Sequence, residues 1–107
     1  MGNYIFVPNL AEHGQVPEQS ILSSTLQNDD RSKVILFRFA AGQELSAHTA
    51  PFPALIQIIS GDVTLRLGED VKEASHGAFA YMSPKLEHGI RAKTETVMLL
   101  TLLKNPA

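Results

Sequence analysis

Two histidines, His48 and His88, are the residues of this chain best placed to do chemistry together, and each stands at a fixed distance from glycines. Gly42 precedes His48 and Gly61 follows it, in the stretch G-Q-E-L-S-A-H-T-A-P-F-P-A-L-I-Q-I-I-S-G. Gly77 precedes His88. Each histidine adjoins apolar, β-rich sequence. If those runs are strands of a barrel, the two imidazoles meet on one inner surface and give a pocket a polar floor. Imidazole serves as ligand, general base or hydrogen-bond partner near neutral pH. No Ser-His-Asp order, phosphate loop or paired carboxylate can be placed in the remainder. His13, in a polar loop, and His76, before a turn glycine, read as surface histidines.

The elements that must carry the pair read as short strands between turn residues. Val34 to Ala41 has Ile35, Phe37 and Phe39 on one face and Arg38 on the other. Ala54 to Ile59 is an apolar run broken by Gln57, as expected for a strand covered on both faces. Val63, Leu65 and Leu67 alternate with polar residues, and Gly68-Glu69-Asp70 closes a hairpin. Ala78 to Met82 and Val97 to Leu103 complete the clear set. Ser20 to Gln27 fits a helix face or a strand, and its Ser/Thr content favours the strand. Tyr4 to Val7 reads as a short strand ended by Pro8-Asn9. No segment has the length and period of a helix. The expectation is an all-β sandwich or barrel, in one domain spanning residues 1–107.

Composition narrows the function classes. Among 107 residues, 9 are basic and 11 acidic, for a net charge of −2, with no basic cluster, so a nucleic-acid partner is not expected. Hydrophobic residues make up 44%, which a disordered chain does not carry. Cysteine is absent, which removes disulfides, thiolate chemistry and Cys-based zinc sites and fits a reducing compartment. No basic-then-apolar leader stands at the N-terminus, and no apolar run approaches the roughly 20 residues that span a bilayer. A soluble, cytoplasmic protein with no membrane partner is the expectation.

The two histidine-bearing stretches resemble the paired motifs of the cupins, small jelly-roll barrels also described as double-stranded β-helices. The first cupin motif, G-x5-H-x-H-x3-E-x6-G, falls on Gly42, His48, Ala50, Ala54 and Gly61 with every interval kept. The second, G-x5-P-x-G-x2-H-x3-N, falls on Gly77, Ser83, Lys85, His88 and Ala92, with Pro84 one place beyond the motif proline. The resemblance covers about Val34 to Leu103 and is to compact cupin 2-like, RmlC-like domains. It implies a cupin jelly-roll barrel. In metal-binding cupins, two histidines and a glutamate of the first motif and one histidine of the second hold the metal. Here only His48 and His88 remain, and Ala50 and Ala54 ligate nothing. A weak or partial divalent transition-metal site at His48 and His88 is then the most the motif implies. Catalytic zinc generally keeps three protein ligands. Such binding should fade below about pH 6.5, since imidazole ligates only when neutral. His76 or Glu44 could add a ligand only against the motif spacing.

Small apolar residues at the ligand positions suggest a larger, less polar pocket. By strand parity Phe37, Phe39, Ile56, Ile58 and Leu65 line its wall beside His48 and His88. Pro51-Phe52-Pro53 is stiff and either bends the chain or sets Phe52 over the barrel mouth. The function expected first is binding of a small organic ligand in the barrel. A metal-dependent isomerase, dioxygenase or decarboxylase using His48 and His88 is the second reading. A non-catalytic sensor or interaction module with a filled barrel is the third. Val97 to Leu103 is apolar on both strand faces, and Tyr4 to Val7 cannot form a core of its own. Both point to a homodimer, a state the cupin resemblance also implies.

Overall fold

The computed structural model describes residues 3–104. Nine strands follow a single 3₁₀ turn at Leu10–Glu12: β1 (Ile21–Asn28), β2 (Ser32–Phe39), β3 (Glu44–His48), β4 (Ala54–Ser60), β5 (Asp62–Leu67), β6 (Asp70–Ser75), β7 (Phe79–Met82), β8 (His88–Ala92) and β9 (Thr96–Leu103). They form two antiparallel sheets. One has the order β1-β2-β9-β4-β7 and the other β3-β8-β5-β6. Strands distant in sequence are neighbours in both, which is the jelly-roll arrangement. The all-β expectation holds.

Apolar residues on alternate positions build the inward faces. Phe39 of β2, Ile56 and Ile58 of β4, Val63 and Leu65 of β5, Met82 of β7, Ile90 of β8 and Met98 of β9 form one buried cluster between the sheets. Each such side chain contributes about 1.5–3 kcal/mol on leaving water. The turns are set by local polar chemistry. In the β1–β2 hairpin, Asp29 accepts hydrogen bonds on Oδ1 from the backbone N–H groups of Arg31 (2.8 Å) and Ser32 (3.0 Å). Those bonds hold its carboxyl below the usual carboxylate range. The stabilisation is therefore present at neutral pH and is lost as acid protonates the folded group.

Three readings change against the structure. Tyr4 to Val7 is extended but pairs with no strand, and Tyr4, Ile5 and Phe6 are largely exposed. An apolar run gives a strand only where a free edge receives its hydrogen bonds, and among the described residues none does so here. β4 is not covered on both faces. Ala54, Ile56 and Ile58 are buried inward, while Leu55 and Ile59 are half-buried and Gln57 is exposed on the outward face. Arg38 does lie opposite Phe37 and Phe39, yet it is only 7% exposed. The chain leading from the 3₁₀ turn crosses that face, and the His13 carbonyl accepts a hydrogen bond from Arg38 Nη1 at 2.9 Å.

Candidate functional site

The two histidines meet through a β-bulge. In the β3–β8 pair Leu45 faces Ile90 and His48 faces His88, so three steps along β3 match two along β8. Strict alternation would turn Leu45 and His48 to opposite faces. The extra residue turns both to the barrel interior, a re-aiming that bulges commonly perform. Gly89 makes the close approach possible. A side-chain carbon there would stand 3.1 Å from the Leu45 carbonyl oxygen and 3.2 Å from the Ala47 nitrogen.

The imidazole rings of His48 and His88 lie 4.4 Å apart between centroids and are tilted by 57°. Their anchoring is the same. His48 Nδ1 lies 2.9 Å from the Ser46 carbonyl oxygen, and His88 Nδ1 lies 2.9 Å from that of Leu86. A carbonyl only accepts, so each Nδ1 carries its proton and donates it. When neutral, each ring then keeps its lone pair on Nε2, the arrangement in which histidine accepts a hydrogen bond or ligates. His88 is 8% exposed, whereas His48 is open to solvent. The pair thus spans from the barrel interior to its mouth.

Beneath the rings is a cavity of about 50 Å³ bordered by Phe37, Leu45, Ile56, Met98 and Leu100. Of the wall residues expected from strand parity, Phe37 and Ile56 border it with His48 and His88. Phe39 and Ile58 do not; they lie in the close-packed cluster, as does Leu65. Leu45, Met98 and Leu100 were not among the expected wall residues. The β9 pairings explain the last two, since Met98 faces Phe37 and Ile58, and Leu100 faces Ile35 and Ile56.

The alanines do not open the pocket. Ala54 is 2% exposed, opposite Met82 and Leu102 on the neighbouring strands, and does not border the cavity. The Ala50 carbonyl accepts a hydrogen bond from the Lys85 amide at 2.8 Å, tying the loop that follows His48 to the loop that precedes His88. His76, Glu44 and Glu87 are exposed, and Glu87 pairs with Arg66 at 3.5 Å. No group of three or more His, Cys, Asp or Glu side chains converges among the described residues. The donor set therefore does not fit a resident metal held by three or four protein ligands.

Lys85 stands where the second motif has glycine, and its backbone keeps the left-handed conformation at φ 68°. A residue with a Cβ is strained there by about 1 kcal/mol. Lys85→Gly is expected to raise stability by up to about 1 kcal/mol, partly offset by glycine's larger unfolded-state entropy. Urea unfolding with an unchanged slope would read this as a higher midpoint. An unchanged or lower midpoint would show that the lysine is unstrained.

This architecture is that of a double-stranded β-helix barrel with its histidine pair at one mouth. The chain folds as a small RmlC-like cupin. It is similar over 98% of its length to a conserved protein of unknown function from Streptococcus pyogenes (24% identity, TM-score 0.87, 92% of that chain). A cupin superfamily protein from Desulfitobacterium hafniense matches 92% of the chain (22% identity, TM-score 0.85, 90% of that chain). An RmlC-like cupin from Desulfovibrio desulfuricans matches 94% (26% identity, TM-score 0.82, 97% of that chain). No family model matches the sequence, and no curated protein matches it. The resemblance is carried by shape and by the motif positions.

Proposed function

We propose that the protein binds a small organic molecule at the mouth of the barrel, with His48 and His88 as its polar contacts. The observation that carries this reading is the pair of anchored imidazoles, 4.4 Å apart, above an apolar wall. A few convergent polar groups over apolar surface is the usual form of a ligand site. The cavity of about 50 Å³ limits what enters. Drug-sized sites run to about 300–1,000 Å³. The ligand is therefore very small, or it inserts one group and lies across exposed His48 with the rest. Two Nε2 lone pairs favour an inserted hydroxyl or amine that donates hydrogen bonds.

A panel of small amines and diols, followed by thermal shift and by imidazole ¹⁵N resonances, tests this. Binding is expected to perturb Nε2 of both rings and to be lost in His48→Ala and His88→Ala. Perturbation of neither ring by any member of the panel, with the melting point unmoved, would count against the reading. The same two nitrogens favour a second, weaker one, a divalent transition metal held by two protein donors and completed by water or the ligand. Zinc titration should then show readily reversible binding. One zinc per chain surviving dialysis against a chelator would overturn the partial-site reading and favour a metal-dependent enzyme.

A further inference from the structure

On the outward face of the five-stranded sheet, away from the histidine pair, Arg38 presents a buried cation that meets no counter-charge among the described residues. It is 7% exposed, yet its one protein acceptor among the described residues is the His13 carbonyl, met by Nη1 at 2.9 Å. Its Nε–H is buried and has no partner among the described residues. The ion pairs among the described residues, Arg66 with Glu87 and Lys93 with Glu73, lie elsewhere. Beside Arg38 is a cleft of about 210 Å³ bordered by His13, Gln15, Leu22, Ser24 and Leu36, and no side chain lining it is acidic. Buried charges in proteins are normally paired, because an unpaired one loses several kcal/mol of hydration. If Arg38 served only to fasten the N-terminal segment through Nη1, its buried Nε–H would stay unmatched.

We propose that this cleft binds a small oxyanion, a carboxylate or phosphate group, through the Arg38 guanidinium with the Ser24 hydroxyl and Gln15 amide as neutral donors. The planar fork of arginine matches two oxygens of such a group and is less strongly hydrated than an ammonium, so it tolerates this burial. Leu22 and Leu36 supply the apolar sides that exclude water and strengthen the charge-assisted bonds. The anion completes the latch that holds the His13 segment on the sheet, so its binding stabilises the fold.

The test uses the full chain with sodium phosphate and sodium acetate as probes, each against sodium chloride at equal ionic strength. One or both oxyanions are expected to raise the melting temperature saturably and to shift the Arg38 Nε–H resonance, which its burial keeps observable. The anion that saturates at lower concentration identifies the preferred group. Ser24→Ala, on an exposed strand position, should weaken binding by about tenfold, the usual effect of losing a hydrogen bond to a charged group. Arg38→Met should abolish the response. If Arg38→Met fails to fold, the Ser24→Ala variant and the wild-type Nε–H titration still decide. An effect that tracks ionic strength alone, a response retained in Arg38→Met, or an Nε–H resonance unmoved by either anion would overturn the proposal. Arg38 would then be a structural latch only.

Discussion

Replacing Gly61 with alanine is expected to destabilise the protein by about 2–5 kcal/mol, which for a domain of this size lowers the melting temperature by some 10 °C or more. Two effects add. Gly61 has φ +98°, a conformation that strains any residue with a Cβ. The added carbon would also stand 2.5 Å from the Glu95 carbonyl oxygen and 2.8 Å from the Thr96 Cα. Both neighbours are backbone, so no flexible side chain can yield. The backbone that must move leads directly into Thr96 and Val97, both fully buried. Gly42 is the control. Its φ is +86°, but a carbon there meets nothing within 4 Å, so Gly42→Ala should show the conformational term alone, about 1 kcal/mol. Equilibrium denaturation of both variants checks this. Equal losses at the two positions would mean that the close approach of Gly61 to Glu95 and Thr96 contributes nothing.

The second large effect concerns association. We expect the protein to form a homodimer that uses the exposed apolar residues of the N-terminal segment and of the outward face of the five-stranded sheet. On that face Leu99 lies in a row between Leu36 and Gln57 with Phe79 beyond, and Thr101 lies between Val34 and Leu55 with Tyr81 beyond. Tyr4 and Phe6 are 83% and 75% exposed, and Ile5, Phe79 and Tyr81 are each more than half exposed. From the areas such side chains carry, these five present roughly 600 Å². A standard interface buries about 800 Å² per partner, so this area, spread across the sheet from the β1–β2 side to β7, is of the right order for a stable pair. Light scattering at micromolar concentration should give twice the chain mass, and Tyr4→Asp with Phe6→Asp should return it to the single-chain value. A wild-type monomer under those conditions would refute the expectation.

Much of the barrel was legible before the structure, and the exceptions share physical causes. β2, β4, β5, β7 and β9 carry strong alternation or continuous apolar runs, and all five were read. β3 and β8, which hold the histidines, are short and polar, and β3 breaks its own period with a bulge, so only motif spacing pointed to them. β6, D-V-K-E-A-S, is an exposed edge strand with little apolar signal. Parity correctly put Phe37, Phe39, Ile56 and Ile58 on inward faces. It could not give their depth along the barrel, which decides that Phe37 and Ile56 border the cavity while Phe39 and Ile58 are packed away. Arg38 was read on the right face. Its burial depends on a segment more than twenty positions earlier in the chain, and local pattern carries no information about that contact.

The bulge in β3 makes the histidine pair depend on strand register as well as on residue type. His48 faces His88 only because one extra residue lies between it and Leu45. Without the bulge, the regular ladder would set Ala47 opposite His88 and turn the His48 imidazole outward, with both histidines still encoded. Point substitutions at neighbouring positions such as Ser46 and Ala47, whose side chains are exposed, leave that count intact. Variation along this strand should therefore be tolerated where it leaves the bulge in place and penalised where it lets the register slip.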